Sequence, residues 1–214
     1  MKWRLASAAG LNICALARVA DAQDSATDQL FKLDGRSRAQ IEALLDSAKQ
    51  AGVPWTLVRS KALEGITKRV DGPKVVVIVR QYYVMLVKSR DVLGPLGPTE
   101  LDAGAAALTA GLRPEELSQF RPTPGGRSPA AALVYLADLI GAKRGVPHDD
   151  AVTAFARLWK DGAGDADFYG LWHGIDQDIL SGVSPKAALQ SQLRRLPARS
   201  ARPPSEQNQE NPHS

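Results

Sequence analysis

Four short segments with a glycine, an apolar residue and a proline constrain the fold of this chain more than any other feature. They are Gly52-Val53-Pro54, Gly111-Leu112-Arg113-Pro114, Gly145-Val146-Pro147 and Gly182-Val183-Ser184-Pro185. A glycine readily takes the left-handed conformation that ends a helix, and a proline starts the next helix without leaving an N–H unpaired. The apolar residue between them packs back on the finished helix. The pattern therefore predicts helices joined by short turns.

Between these turns, apolar residues recur at helical spacing. The stripes are Ile41, Leu44, Leu45 and Ala48; Leu133, Leu136, Ala137 and Ile140; Val152, Phe155 and Trp159; Phe168, Trp172, Ile175 and Ile179; and Ala188, Leu189, Leu193 and Leu196. Each stripe covers one side of its helix and must pack against a neighbour. The last three turn glycines are 34 and 37 residues apart, a spacing typical of helix-pair repeats. We predict an all-α fold, either a degenerate helix-pair repeat array or a compact helical bundle.

One segment also suits a β-strand. Residues Lys74 to Val79 are rich in β-branched side chains, which favour strands. However, no second candidate strand is present to pair with them, and a lone strand leaves its backbone groups without partners. Helical spacing continues through Tyr82 and Leu86, so we predict a helix from about Pro73 to Leu93.

The first residues have the pattern of a signal peptide. Lys2 and Arg4 give a positive start, a mostly apolar stretch follows, and Ala20-Asp21-Ala22 offers a cleavage site. We predict a signal peptide over 1–22, a linker over 23–36, a helical domain over 37–196 and a disordered, polar tail over 197–214. The protein is then periplasmic or secreted. The alternative is that the N-terminal segment stays uncleaved and anchors the chain to a membrane.

Composition excludes several classes of protein. Hydrophobic residues make up 44% and charged residues 23%, which is ordinary for a globular domain. Removing residues 1–22 lowers the net charge from +4 to about +2, and it removes Cys14, the only cysteine. The remaining charges of both signs are interspersed, so no basic face for a nucleic acid is predicted. Arg194 and Arg195 complement the dipole at the end of the last helix, and attraction to a membrane surface is the weaker alternative.

No catalytic or cofactor-binding motif is present in the sequence. It lacks a G-x-S-x-G elbow, a phosphate-binding loop and an H-E-x-x-H pair, so no enzyme activity and no cofactor are predicted. His148-Asp149-Asp150 contains metal-ligand residue types. Acidic residues are also favoured in the first turn of a helix, and consecutive helical side chains point apart, so no metal site is predicted there.

The candidate binding residues are aromatic and polar. Tyr169, His173 and Asp176 share one side of a predicted helix at i, i+4 and i+7. They could bind a polar ligand, or form an ordinary solvated face whose tyrosine and histidine satisfy each other. A hydrolase or metal-dependent enzyme centred on these three residues is a further alternative. Tyr82 and Tyr83 cannot both point into one core, so one of them is expected at a binding surface.

The segments Gly52 to Pro54, Lys61 to Gly65 and Gly182 to Leu189 resemble those of a group of uncharacterised exported helical proteins from bacteria of high-G+C composition. The resemblance covers residues 37–196. It implies export and an all-α fold, and no activity, because none is assigned to that group. Together these observations predict an exported helical binding or scaffold protein of the cell envelope, with a protein partner or a second copy of itself as its ligand.

Overall fold

A computed structural model of the chain describes residues 29–123, 126–141 and 144–196. Within these ranges the regular structure is helical, which confirms the predicted all-α fold. The α-helices are α1 (Gly35–Gln50), α2 (Trp55–Thr67), α3 (Gly72–Leu93), α4 (Pro98–Thr109), α5 (Pro114–Leu117), α6 (Ala130–Ile140), α7 (His148–Lys160), α8 (Asp165–Leu180) and α9 (Pro185–Arg195). A 3-10 helix over Ser118–Phe120 follows α5. The predicted signal peptide and the tail over 197–214 lie outside the described residues.

The predicted glycine turns are present. Gly52, Gly111, Gly145 and Gly182 all have positive φ. After three of them, the next backbone N–H reaches back to a helix carbonyl in a Schellman motif: Val53 to Ala48 at 3.0 Å, Leu112 to Ala107 at 3.0 Å and Val183 to Asp178 at 3.0 Å. The prolines take two positions, because Pro114 and Pro185 are the first residues of their helices whereas Pro54 and Pro147 immediately precede theirs.

Two further helices end in the same kind of turn without the glycine-apolar-proline pattern. Gly162 has positive φ, and the N–H of Ala163 donates to Leu158 at 2.9 Å, but no proline follows. Arg69 occupies the same position after α2 with φ of 56°, and Val70 N–H donates to the carbonyl of Gly65 at 3.0 Å. Arg69 is thus a non-glycine residue in a conformation that favours glycine.

The segment Lys74 to Val79 belongs to α3, as predicted, and not to a strand. Val75, Val76 and Val79 are buried, which gives this β-branched segment a packed face at helical spacing. Val77 and Ile78 stay exposed on the opposite side of the helix.

The chain divides into two units, 1–84 and 85–214, where the sequence indicated a single helical domain over 37–196. In the first unit α1 packs against α2. Asp34 caps α1 by accepting the N–H of Ser37 at 2.9 Å, and Leu30 and Leu33 are buried. Part of the predicted linker over 23–36 is therefore packed structure, because these two leucines supply apolar area that a solvated linker would expose.

The second unit is organised around α6, which packs against α4, α7 and α8. The helix α9 in turn contacts α7 and α8. These contacts are compact and join helices one or two positions apart in the chain, as both the predicted bundle and the predicted helix-pair array would have them. The core contains fully buried leucines of α6 and three phenylalanines: Leu133, Leu136, Leu139, Phe120, Phe155 and Phe168. The rings of Phe155 and Phe168 stack with centroids 5.5 Å apart.

Candidate functional site

Helices α6 and α8 bring four aromatic side chains to one surface of the second unit, here called the aromatic face: Tyr135, Tyr169, Trp172 and His173. The rings of Tyr135 and Trp172 stack with centroids 5.3 Å apart, and Tyr169 lies 6.0 Å from each of them. The imidazole of His173 lies 5.6 Å from the ring of Tyr169. The side chain of Tyr169 is 49% exposed, and His173 is exposed as well. The face is accessible to a partner.

A polar network of hydrogen bonds and ion pairs adjoins the aromatic face. Trp172 Nε1 donates to Asp138 Oδ2 at 2.8 Å, and Arg144 Nε lies 3.2 Å from the same oxygen. The Arg144 guanidinium also pairs with the carboxylate of Asp176 and lies 5.8 Å from the Trp172 ring centroid. Because the side chains of Arg144 and Asp176 are only 24% and 13% exposed, this ion pair is partly shielded from solvent.

The structure does not bring all of the predicted binding residues together. Tyr169 and His173 contact each other, whereas Asp176 is directed to Arg144. Tyr82 and Tyr83 lie in the first unit, where both are half-buried and the Lys61 ammonium lies 5.8 Å from the Tyr82 ring centroid.

Sequence reasoning missed Tyr135, Asp138 and Arg144. It placed Trp172 in the core stripe of its helix, and the structure packs Trp172 against the core while leaving it half-buried at this face. Tyr135 lies outside the apolar stripe of its helix, and this could have marked it as a surface aromatic. No rule of sequence spacing could have placed Tyr135 next to Trp172, because the two residues lie on different helices, α6 and α8. The hydrogen bond from Trp172 to Asp138 spans 34 residues.

The aromatic face lies on acidic helices. Helix α8 carries Asp165, Asp167, Asp176 and Asp178 and contains no lysine or arginine. In α6 the one charged residue is Asp138. With Arg144 included, the two helices and their bound guanidinium carry a net charge of −4. A cationic ligand is therefore favoured over an anionic one.

A second cluster joins α5 to the start of α7. His148 Nε2 lies 3.0 Å and 3.2 Å from the two carboxylate oxygens of Glu116, whose side chain is only 8% exposed. The backbone N–H of Arg113 donates to Glu116 Oε2 at 2.8 Å, and the Arg113 guanidinium pairs with the other oxygen. Burial opposes ionisation of Glu116, but the hydrogen bonds from Arg113 and His148 outweigh it and lower the pKa of Glu116 below its ordinary value of 4.5.

This cluster includes His148 and Asp149 of the segment at which no metal site was predicted. Ligand atoms of Glu116, His148 and Asp149 all lie within 4.8 Å of one another. The side chains of His148 and Asp149, the first two residues of α7, do not point apart as expected. Asp150 does diverge, and its carboxylate lies 3.8 Å from the Lys186 ammonium. No sequence pattern connected Glu116 with this segment, because it precedes His148 by 32 residues.

No family model, curated protein or solved structure matches the chain. Among the helices described above, none is both long and apolar enough to cross a lipid bilayer.

Proposed function

We propose that this protein is an exported helical binding protein of the cell envelope, and that its aromatic face docks a basic segment of a partner protein. The observation that carries the proposal is the group of four adjacent aromatic side chains, two exposed and two half-buried, on helices that carry five aspartates. The predicted signal peptide over 1–22 supports export.

The aromatic face has the composition of a protein-binding hot spot. Tyrosine and tryptophan are enriched where binding energy concentrates, because they offer a large apolar area with few rotatable bonds. Trp172 is hydrogen-bonded to Asp138 and stacked on Tyr135 before any partner arrives. Little side-chain entropy then remains to be lost on binding, so more of the contact energy contributes to affinity.

Charge favours a partner segment with lysine or arginine. The guanidinium or ammonium group of such a segment gains from the carboxylates of α8 and from the π faces of Tyr169 and Trp172. Arg144 already makes this kind of contact within the chain, since its guanidinium lies near the Trp172 ring and pairs with Asp176. A partner arginine over the exposed ring of Tyr169 would repeat that arrangement from outside.

The surroundings of His173 favour binding over the hydrolase alternative. A catalytic histidine needs a carboxylate that orients its ring, and Asp176 was the candidate for that role. Its carboxylate instead neutralises Arg144. His173 remains an exposed imidazole beside the ring of Tyr169, which suits a contact residue.

The proposal is tested with two synthetic peptides of equal length, one alternating arginine and alanine and the other glutamate and alanine. Binding to the ¹⁵N-labelled chain is followed by NMR. We expect the arginine peptide to shift the Trp172 indole N–H resonance and the amides of α8, and the glutamate peptide to leave them unchanged. Tyr169→Ala should weaken binding of the arginine peptide at least tenfold. The matched control is Tyr83→Ala, which removes a tyrosine of the first unit and should leave the affinity unchanged.

Two results would overturn this assignment. Equal binding of both peptides, or shifts that avoid α8, would show that the aromatic face does not select a basic segment. A dimer by light scattering that dissociates in Tyr169→Ala would instead identify a second copy of the chain as the occupant of this face.

A further inference from the structure

We propose that Glu116, His148 and Asp149 bind a divalent transition-metal ion of the Zn²⁺ class at the contact between α5 and α7. The donor set is one imidazole nitrogen and two carboxylate oxygens, all within 4.8 Å of one another. Imidazole and carboxylate are common ligands of zinc, and three protein ligands leave the fourth tetrahedral position for water or a ligand from outside. This site does not involve the aromatic face and does not depend on it.

The spacing of two ligands already matches a metal site. Bonds of about 2.0–2.1 Å in a tetrahedral zinc site place neighbouring ligand atoms about 3.4 Å apart. His148 Nε2 lies 3.0 Å and 3.2 Å from the two oxygens of Glu116. An ion can therefore enter between these two groups with a displacement of a few tenths of an ångström. The third ligand, Asp149, has a side chain that is 85% exposed and free to turn toward the ion.

Glu116 is held in place before an ion binds. Its side chain is nine-tenths buried, and one carboxylate oxygen accepts the backbone N–H of Arg113. Such a hydrogen bond orients a ligating carboxylate from outside the coordination sphere, which reduces the entropy lost when the ion binds. Without this support, half-buried His148 and exposed Asp149 at a helix end would offer only weak chelation.

Arg113 is the cation that a metal ion must replace. Its guanidinium pairs with Glu116 and lies 3.8 Å from Asp149, so its single positive charge faces both carboxylates of the cluster. The Arg113 side chain is 64% exposed and can turn out into solvent when an ion enters. His148 Nε2 must give up any proton that it shares with Glu116. Metal binding therefore either moves that proton to Nδ1 of a neutral ring or releases it from an imidazolium.

The experiment is a calorimetric titration of the full chain, without an affinity tag, with ZnCl₂ and separately with MgCl₂. We expect one Zn²⁺ per chain, little or no Mg²⁺ binding, and at least a tenfold loss of Zn²⁺ affinity in His148→Ala and in Asp149→Asn. The matched control is His173→Ala, which removes an exposed histidine of α8 and should keep the Zn²⁺ affinity. Circular dichroism confirms that each variant is folded.

A second variant separates a built site from adventitious binding to surface histidines. Arg113→Met removes the competing cation but keeps the backbone N–H that orients Glu116, so it should raise the Zn²⁺ affinity. Adventitious binding would respond equally to His148→Ala and His173→Ala and would not respond to Arg113→Met. That outcome, or the absence of Zn²⁺ binding, would overturn the proposal.

Discussion

The indole Nε1 of Trp172 donates a hydrogen bond to Oδ2 of Asp138 at 2.8 Å, and this bond joins α8 to α6 at the aromatic face. The indole has one polar group, its Nε1–H, so this single hydrogen bond sets the orientation of the ring. The ring's remaining surface then stacks on Tyr135. The order of the aromatic face thus depends on a carboxylate that is itself held by Arg144.

The variant Asp138→Ala should loosen Trp172 without unfolding the second unit. The loss of a hydrogen bond to a half-exposed carboxylate is expected to cost about 1 kcal/mol of unfolding free energy. Emission assigned to Trp172, by difference from Trp172→Phe, should shift to longer wavelength as the indole gains contact with water. Val134→Ala, on an exposed residue one turn earlier in α6, is the control. Emission that is unchanged in Asp138→Ala would show that the bond does not hold the ring.

The variant Arg69→Gly should stabilise the protein. Arg69 ends α2 with φ of 56°, a conformation that costs a side-chain-bearing residue about 1 kcal/mol relative to glycine. Urea unfolding should therefore show a gain of roughly that size. Arg69→Ala removes the same charge and most of the side chain but retains a Cβ, so it should give little of the gain. Equal gains in the two variants would assign the effect to the charge instead of the backbone.

Two glycine-to-alanine substitutions should act in opposite directions. A Cβ at Gly104 would approach Leu93 Cδ1 to 3.0 Å and would overlap the hydroxyl of buried Ser89. Gly104→Ala should cost about 1–3 kcal/mol, because α3 and α4 would have to move apart. At Gly170 in α8, no atom lies within 4 Å of the added Cβ. Gly170→Ala should gain about 0.5–1 kcal/mol from helix propensity alone. Denaturant unfolding measures the change in unfolding free energy of each variant. A lower unfolding free energy for Gly170→Ala would contradict the open space around that residue.

The carboxyl group of Glu64 should titrate unusually low. The Lys61 ammonium donates to it at 2.8 Å and that of Lys68 also bonds to it, and together they lower the pKa of Glu64 to about 2. The folded pKa lies below the unfolded one, so the stabilisation is complete above about pH 4.5 and is lost as the pH falls toward 2. The energy is small, since the Glu64 side chain is 43% exposed and the pair is screened.

NMR titration of the Glu64 side-chain carbonyl carbon measures this directly. Lys61→Met should raise its midpoint toward the ordinary value of 4.5, because the hydrogen bond with the largest effect is then lost. A midpoint that does not move in Lys61→Met would assign the shift to Lys68 alone.

The helices and most of their turns could be predicted because their signals are local. Gly52, Gly111 and Gly182 indicate helix ends, because the left-handed conformation there depends on the residue type at one position. The apolar stripes follow from the helical period. The turn at Arg69 escaped prediction because arginine does not favour the left-handed region, so the residue type carried no signal for a helix end. Leu30 and Leu33 were assigned to a linker because two leucines among polar residues form no periodic stripe.

The sites were harder to predict because they join residues that are distant in the chain. The sequence could place Tyr169 and His173 on one side of a helix, since that needs only the helical period. It could not show that Asp176 pairs with Arg144, or that Glu116 lies beside His148. Those contacts depend on how α5, α6, α7 and α8 pack, and no short-range rule encodes the packing.

Two pairs of helices that follow each other in the chain pack together, namely α1 with α2 and α8 with α9. A contact between helices that are adjacent in the chain closes only a short loop. Little chain entropy is therefore lost before the contact stabilises the folding chain. Topologies of this kind acquire their structure in microseconds to milliseconds, whereas ribosomes add about 5–20 residues per second. Each of these hairpins can therefore form as soon as its second helix has been synthesised, before the rest of the chain exists.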